Sequence, residues 1–443
     1  MSNKLDQDFG VLSLLKFTAP STIMLVFLSM YQTVDGVFVS NFVGPQGLSA
    51  MNIVYPLTSM VLAVSIMLVT GGGAIIAKNM GEGRDREARE KFSTIIWVGL
   101  GLGIAMAVLG TLFLEPLLRL LGATPNLYHY CWDYQFILTL ATPLSILQLL
   151  FQTFFVTAGK PHLGLAITVG GGAANLVLDY IFVARWSWGV SGAALATAVG
   201  YALPAIFGLC YFLFCRKGTL YLVKPVRHPG FLLRSCANGS SEMVTNLAVA
   251  VTTLLFNIML LRYVGEDGVA AVSIVLYAQF LMTSVFMGFS GGVSPVISYN
   301  FGKGNQERLK RLFRISIGFV TVTSILVFVL SYLVRDLVIM VFVSPEDPVF
   351  AIAQHGFTLF AVSFLVTGFN IFASSMFTAF SNGLVSATIS FLRTFVLLSA
   401  ALILLPVVMG ADGIWWAVPV AEAVALLVSV GCFVRFKDEY HYI

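Results

Sequence analysis

Between Leu14 and Phe433 the chain returns again and again to apolar runs of about 20 residues. In oil such a run can satisfy its own backbone hydrogen bonds only as a helix, so the repetition fixes the fold class before any other feature is considered. Twelve spans are counted, which predicts an all-α integral membrane protein. Composition agrees: 58% of residues are hydrophobic and 10% charged, with a mean hydropathy of +0.91, against roughly 25% charged in soluble domains. The opening MSNKLDQDFG is polar and mixed in charge. The apolar run after it is far longer than the core of a cleavable signal, so no signal peptide is expected.

Charge placement orients the spans. With the N-terminus set in the cytoplasm, 20 of the 25 Lys and Arg fall in cytoplasmic segments and four in outer loops (Arg119, Arg185, Arg262, Arg335), while Arg393 lies within a span. This is the positive-inside pattern, and it places both termini inside. The basic stretches GRDREAREK, CRKGTLYLVKPVRH and GKGNQERLKRLFR then read as topology anchors beside anionic lipid, not as nucleic-acid patches. The five cysteines show neither paired nor metal-ligand spacing and are expected to be free thiols.

The chain is also a repeat of itself at a constant offset of 221 residues. VGPQGLSAMNIV from Val43 matches VGEDGVAAVSIV from Val264, and over residues 43–83 twelve of 41 positions are identical without a gap. The register continues through NMGEG and NFGKG, then through Thr157 with Thr378 and Gly192 with Gly413. Two pseudo-symmetric six-helix bundles are expected, over 1–215 and 231–443, joined by a cytoplasmic linker at 216–230. Six is even, so the repeats are parallel and related by an axis along the membrane normal, an arrangement used for alternating access. Neither a ring of charge nor a filter sequence suggests a pore. The glycine runs GLGLGIAMAVLG and ITVGGGAANL suit close helix packing; no strand precedes them and no Lys-Ser/Thr closes them, so they are not phosphate loops.

Polar residues inside the membrane are the candidate site. An ionisable group at mid-span costs about 2.5–3.5 kcal/mol on an insertion scale, so it is either paired structure or a working group. Asp35, in SMYQTVDGVFVSN, and Asp179 each lie about two turns before an outer loop. Asn175 and Asp179 are four apart and share a helix face. Tyr31 precedes Asp35 by one turn, and Thr197 is two turns into the sixth span. These five converge in depth in the outer half of the first bundle, with no basic residue among them. Two such carboxylates require a proton or a cation between them, or else belong to a neutral packed network. Sodium would sit among Asp35, Asn175, Asp179 and Thr197, because oxygen ligands suit a hard cation; proton exchange suits the same set. Pro20 removes a backbone donor from the first helix and is read as a hinge or as a fixed kink.

The second half differs. At the 221 offset Asp35 maps to Phe256, Asn175 to Val396, Asp179 to Ala400 and Thr197 to Val418. In their place this half carries Glu242, Arg393 and Glu422, a partly compensated network with one acid to spare. Asn257, Gln279 and Asn370 are candidate cleft-lining residues, with interhelical hydrogen bonding as the other reading. Met282, Met287 and Met376 exemplify soft surface suited to a cleft.

Together the twelve helices, the VGPQGLSA and VGEDGVAA segments, the AKNMGEG and SYNFGKG loops and the acidic cluster resemble the multidrug and toxic-compound extrusion (MATE) transporters of prokaryotic type, over essentially the whole chain. The resemblance implies a secondary active exporter in the prokaryotic cytoplasmic membrane. It implies antiport of small amphipathic, often cationic drugs against H+ or Na+, with no other cofactor, no nucleic acid, contact with membrane lipid and a monomeric chain. In the branch this chain is most similar to, the cation site falls on Tyr31, Asp35, Asn175, Asp179 and Thr197, with Pro20 at the bending point. Another branch uses acids on its seventh and tenth helices. Here the seventh-helix acid, Glu242, sits near the helix start, and the tenth span has no acid. The alternative within the wider superfamily is a lipid-linked oligosaccharide flippase, which calls for a strongly cationic cleft where this chain has only Arg393. No enzyme is expected, since the five histidines lie at loops or span ends without ligand spacing.

Overall fold

Every apolar run is a helix. The computed structural model describes residues 4–443 except Lys217 and Arg227, and the side chains at helical positions 32–33, 35–37, 40–41, 45, 48 and 250 are also outside the described residues. The first half comprises α1 (Val11–Phe42), α2 (Pro45–Gly81), α3 (Asp85–Leu112), α4 (Leu114–Leu120), α5 (Pro125–Leu140), α6 (Thr142–Thr157), α7 (Pro161–Asp179), which continues as a π turn over Tyr180–Arg185, and α8 (Gly189–Phe214). The second half comprises α9 (Phe231–Tyr263), α10 (Glu266–Gly302), α11 (Gln306–Met340), α12 (Pro348–Phe360), α13 (Phe364–Ala379), α14 (Gly383–Phe391), a π turn over Leu392–Leu397, α15 (Leu398–Met409) and α16 (Ala411–Tyr440). No strand occurs among the described residues. Eleven helical stretches are long and apolar enough to cross a membrane, and the pair α5 and α6, bent by 54°, brings the total to twelve. The bend falls beside Pro143 in the first turn of α6, where the missing N–H cannot continue the α5 ladder.

The repeat is visible in the backbone. Gly44 and Gly265, 221 apart, precede α2 and α10 with φ of 95° and 96°, a region that strongly favours glycine. Between the halves, α1 packs on α10 while α2 packs on α9 and α10. A Cβ added at Gly81 would lie 1.9 Å from the Tyr299 carbonyl oxygen, and one at Gly302 would lie 2.1 Å from that of Lys78. Lys78 and Tyr299 are themselves 221 apart, so the α2–α10 crossing is a self-complementary pseudo-two-fold contact. Gly71 against Ser235 and Gly239, and Gly292 against Thr18 and Ser21, repeat the logic at the α2–α9 and α10–α1 crossings.

All of these crossings lie toward one end of the molecule, which also carries the loops at Gly83 and Gly304 and the 216–230 segment. There a single apolar core joins both halves, from Phe17, Ile76 and Phe92 to Phe289, Phe377 and Phe433. At the opposite end each half keeps its own core: Val39, Val54, Leu114 and Val190 in the first, Phe256, Ile274, Phe360 and Trp415 in the second. Among the described residues, the shared core thus welds the halves at the basic end.

That end is further strapped by charge. Asp6, ahead of α1, pairs with Lys303 at 2.5 Å and with Arg308 at 2.8 Å, and Arg311 pairs with Asp8 at 3.0 Å. Burial raises the Asp6 pKa, but hydrogen bonds from Lys303 and Arg308 prevail and hold it below the usual carboxylate value. In the linker, Val223 N–H donates to Ser93, and the Arg89 guanidinium donates to Tyr221 and to the Thr219 carbonyl.

Candidate functional site

The first-half polar residues are brought together by small residues at two helix crossings. Where α7 meets α8, a Cβ on Gly171 would lie 2.6 Å from the Gly200 carbonyl oxygen, and one on Gly200 would lie 3.0 Å from Cβ of Asn175. This close approach lets Asn175 Nδ2 donate to Thr197 Oγ1 at 3.4 Å, while the Thr197 hydroxyl donates to the Ala193 carbonyl at 3.0 Å. Asn175, Asp179 and Thr197 are all buried. Asn175 Oδ1 has no hydrogen-bond partner among the described residues. Where α1 meets α7, the Phe27 ring fills the space beside Gly172. Tyr31 stacks on Phe27 with ring centroids 6.3 Å apart, and one turn beyond the Phe27–Gly172 contact it stands level with Asn175. Asp35 lies outside the described residues, so its side chain is not placed.

Asp179 is the last residue of α7 before the π turn, a device that recurs at functional sites because it re-aims side chains within a helix. Beyond Lys16, neither α1, α7 nor α8 carries a Lys or Arg. A carboxylate, an amide and hydroxyls form a set of hard oxygen donors, chemically suited to a hard cation or to an exchangeable proton. Pro20 is buried within an α1 that runs unbroken on both sides of it, and its neighbours Thr18, Ser21 and Thr22 touch Gly288 and Gly292 of α10.

The second half holds a different arrangement. Arg393 lies in the π turn of the eleventh span, with Nε 3.1 Å from Glu422 Oε1. Asn370 Nδ2 donates to Glu422 Oε2 at 2.7 Å and to its carbonyl at 2.9 Å, and Ser429 donates to Asn370 Oδ1 at 2.8 Å. Glu242 interacts electrostatically with Arg393 but forms no ion pair among the described residues, because Arg393 is directed at Glu422.

Of the two readings of Asn370, interhelical hydrogen bonding fits this arrangement: the side chain is 0% exposed and donates to the buried Glu422 carboxylate. Met376 is likewise core, packed in the apolar cluster that joins the halves. Asn257 lines a cavity of about 500 Å³ between α9 and α10, together with Ile258, Leu261 and Val269. Gln279 and Met282 are half-buried on α10. Sequence reasoning missed both π turns, which have no sequence signature. It also missed a buried hydroxyl cluster in which Ser374 meets Ser386 and Ser390 at 2.9 and 2.8 Å and Thr378 meets Ser386 at 2.7 Å; the run SATIS after Gly383 offered only a faint hint of it.

Comparison with known proteins agrees across the whole chain. The family model MatE matches residues 20–181 and 243–403, one match in each half. The multidrug export protein MepA of Staphylococcus haemolyticus is 24% identical over 419 residues, covering 94% of this chain and 92% of the relative. MepA of Staphylococcus aureus is 22% identical over 432 residues, covering 96% and 94%. Among solved structures, a MATE protein in the straight conformation superposes with a TM-score of 0.93 at 20% identity, covering 98% of both chains. The outward-facing conformation of a multidrug resistance MATE family transporter superposes with a TM-score of 0.90 at 20% identity, covering 96% of this chain and 95% of that one.

Proposed function

We propose, from the premise that the chain belongs to the MatE family, that it exports small amphipathic, often cationic compounds in exchange for H+ or Na+. The coupling ion is held by Asp35, Asn175, Asp179 and Thr197, with Tyr31 beside them. The observation that carries this reading is the buried Asn175–Thr197 hydrogen bond one turn from the buried Asp179 carboxyl, which gathers oxygen donors at one depth. Such donors suit a hard cation or an exchangeable proton, whose occupancy follows a gradient. The names of the MepA relatives support drug export as the task.

Alternating access follows from the two-bundle architecture, with 1–215 and 231–443 as the moving bodies, 216–230 as the link and Pro20 as the bending point of α1. Basic loops gathered at the welded end support a cytoplasmic location for that end and for both termini. In that orientation the separate cores at the other end correspond to an outward-facing arrangement. The flippase alternative gains nothing from the deep Arg393, whose charge is already paired with Glu422.

Proteoliposomes with proton and sodium gradients imposed separately test the coupling. Wild-type protein should accumulate a cationic dye under one gradient, and Asp35→Asn or Asp179→Asn should lower gradient-driven uptake at least tenfold while leaving dye binding measurable. Unchanged driven transport in both variants would remove the coupling role of this site.

A further inference from the structure

A cavity of about 450 Å³ opens at the basic end between the halves, walled by α2 and α3 on one side and by α9 and the start of α14 on the other. Four cations line it: Lys78, Arg84, Lys91 and Arg234. Two of them are already compensated. Arg84 pairs with Glu82 and with Glu87 at 3.0 Å, and Lys91 pairs with Glu87 at 2.5 Å. Lys78 has only the Phe301 ring, 4.8 Å away, and neither it nor Arg234 forms an ion pair among the described residues. The cavity wall therefore keeps a net positive charge.

Neutral donors are spare as well. Asn79 is 3% exposed, and its Nδ2 has no hydrogen-bond partner among the described residues. Ser381 Oγ is in the same condition, on a residue with φ of 62° at the mouth of α14. A buried donor without a partner is uncommon and costs free energy, so one that lines a cationic cavity points to a missing acceptor.

The internal repeat shows the same amide satisfied. Asn300, which stands 221 residues from Asn79, spends its amide on the carbonyls of Val296 at 2.9 Å and Leu5 at 3.5 Å. The charges around the two amides are reversed, since Lys303 and Arg308, which pair with Asp6, correspond to Glu82 and Glu87. What differs at Asn79 is that no acceptor reaches its Nδ2 among the described residues.

We infer that the cavity binds a phosphate-bearing anion, held by Lys78, Arg234 and the spare Asn79 amide, and that its source is the headgroup of an anionic phospholipid. The rim favours lipid over a soluble phosphate. Leu384, itself part of the cavity wall, is 81% exposed, and Leu233 beside Arg234 is 77% exposed, which gives acyl chains an apolar surface next to the charge. Because the walls come from both halves, a headgroup bound here stabilises the welded arrangement and is released when the halves separate at this end.

The test uses the purified full-length protein in neutral detergent, with its thermal unfolding midpoint followed during titration with phosphatidylglycerol, phosphatidylcholine or inorganic phosphate. Phosphatidylglycerol should raise the midpoint saturably and phosphatidylcholine should not. Each basic residue near a lipid surface is worth about a factor of five in binding, so Lys78→Gln with Arg234→Gln should weaken the response about 30-fold. Glu87→Gln, which removes the competing internal acid, should strengthen it. If the double variant does not fold, Arg234→Gln alone, at an exposed position, should still give about a fivefold loss. Equal protection by inorganic phosphate would overturn the lipid assignment in favour of a soluble anion. Equal protection by both lipids, or an undiminished response in the Arg234 variant, would overturn the site.

Discussion

At the scale of single residues, the two halves surround a buried acid differently. Glu422 and Arg393 have side chains only 7% and 15% exposed, so the second half neutralises its acid with a tethered cation. In the first half Asn175 donates to Thr197, and both are buried beside Asp179. Glu422→Ala should therefore leave Arg393 buried and uncompensated and destabilise the protein by about 3–5 kcal/mol. Replacing both partners with Arg393→Met and Glu422→Leu should recover most of that loss in the unfolding midpoint; a Glu422→Ala protein as stable as wild type would refute the pairing. Asp6 gives a pH prediction. Its folded-state pKa is depressed from the usual 3.8, so its contribution is fully present above that value and is lost as pH falls through the lower, folded value. Amide exchange at residues 5–9 should stay slow from pH 8 to 5 and accelerate only below about pH 4 after correction for intrinsic rates, with Asp6→Asn fast throughout. The buried acids were legible in the sequence because charge in an apolar run is conspicuous. Their partners were not: Asn370 and Glu422 are 52 residues apart, and only folding makes them neighbours.

At the scale of elements, helix existence was written in the apolar runs and the halves in the 221-residue register. The bend between α5 and α6 and the two π turns were not, since they depend on how a helix compromises with its neighbours. The pseudo-two-fold α2–α10 crossing is the element-level contact most sensitive to a single atom. A side chain at Gly302 must displace the Lys78 backbone, and one at Gly81 must displace that of Tyr299. Gly302→Leu should thus push the basic ends apart. Cysteines placed at Gln306 and Glu82 and spin-labelled should report a longer distance than in the parent protein, and an unchanged distance would show that the crossing does not hold the halves together. The same logic explains why glycine-rich stretches recur in this chain without binding phosphate: they accommodate helices, not ligands.

At the scale of the molecule, one shared core and two separate ones define where it is closed and where the halves are independent. Under the proposed alternating access, a rocking motion about the link would preserve the two separate cores and part the shared apolar core together with the glycine-lined contacts. Leu120 and Val341, 82% and 74% exposed and 221 residues apart, mark equivalent points on the two halves at the end with separate cores. Distances between labels there should form two populations whose ratio shifts on adding a transported dye or the coupling cation. A single distance under all conditions would exclude the two-state motion.

The sequence alone determined that the chain is a bundle of membrane helices, that it is built twice, and which residues carry charge into the membrane. Each of these follows from local chemistry: unsatisfied backbone groups in oil, positional identity at one offset, and desolvation of a carboxylate. Only the tertiary structure decided that Asn175 reaches Thr197, that Arg393 belongs to Glu422 rather than Glu242, that Asn370 faces inward, and that Lys78, Arg84, Lys91 and Arg234 line one cavity at the basic end. These outcomes depend on how closely helix axes approach at glycines far apart in the chain, a distance that no local pattern encodes.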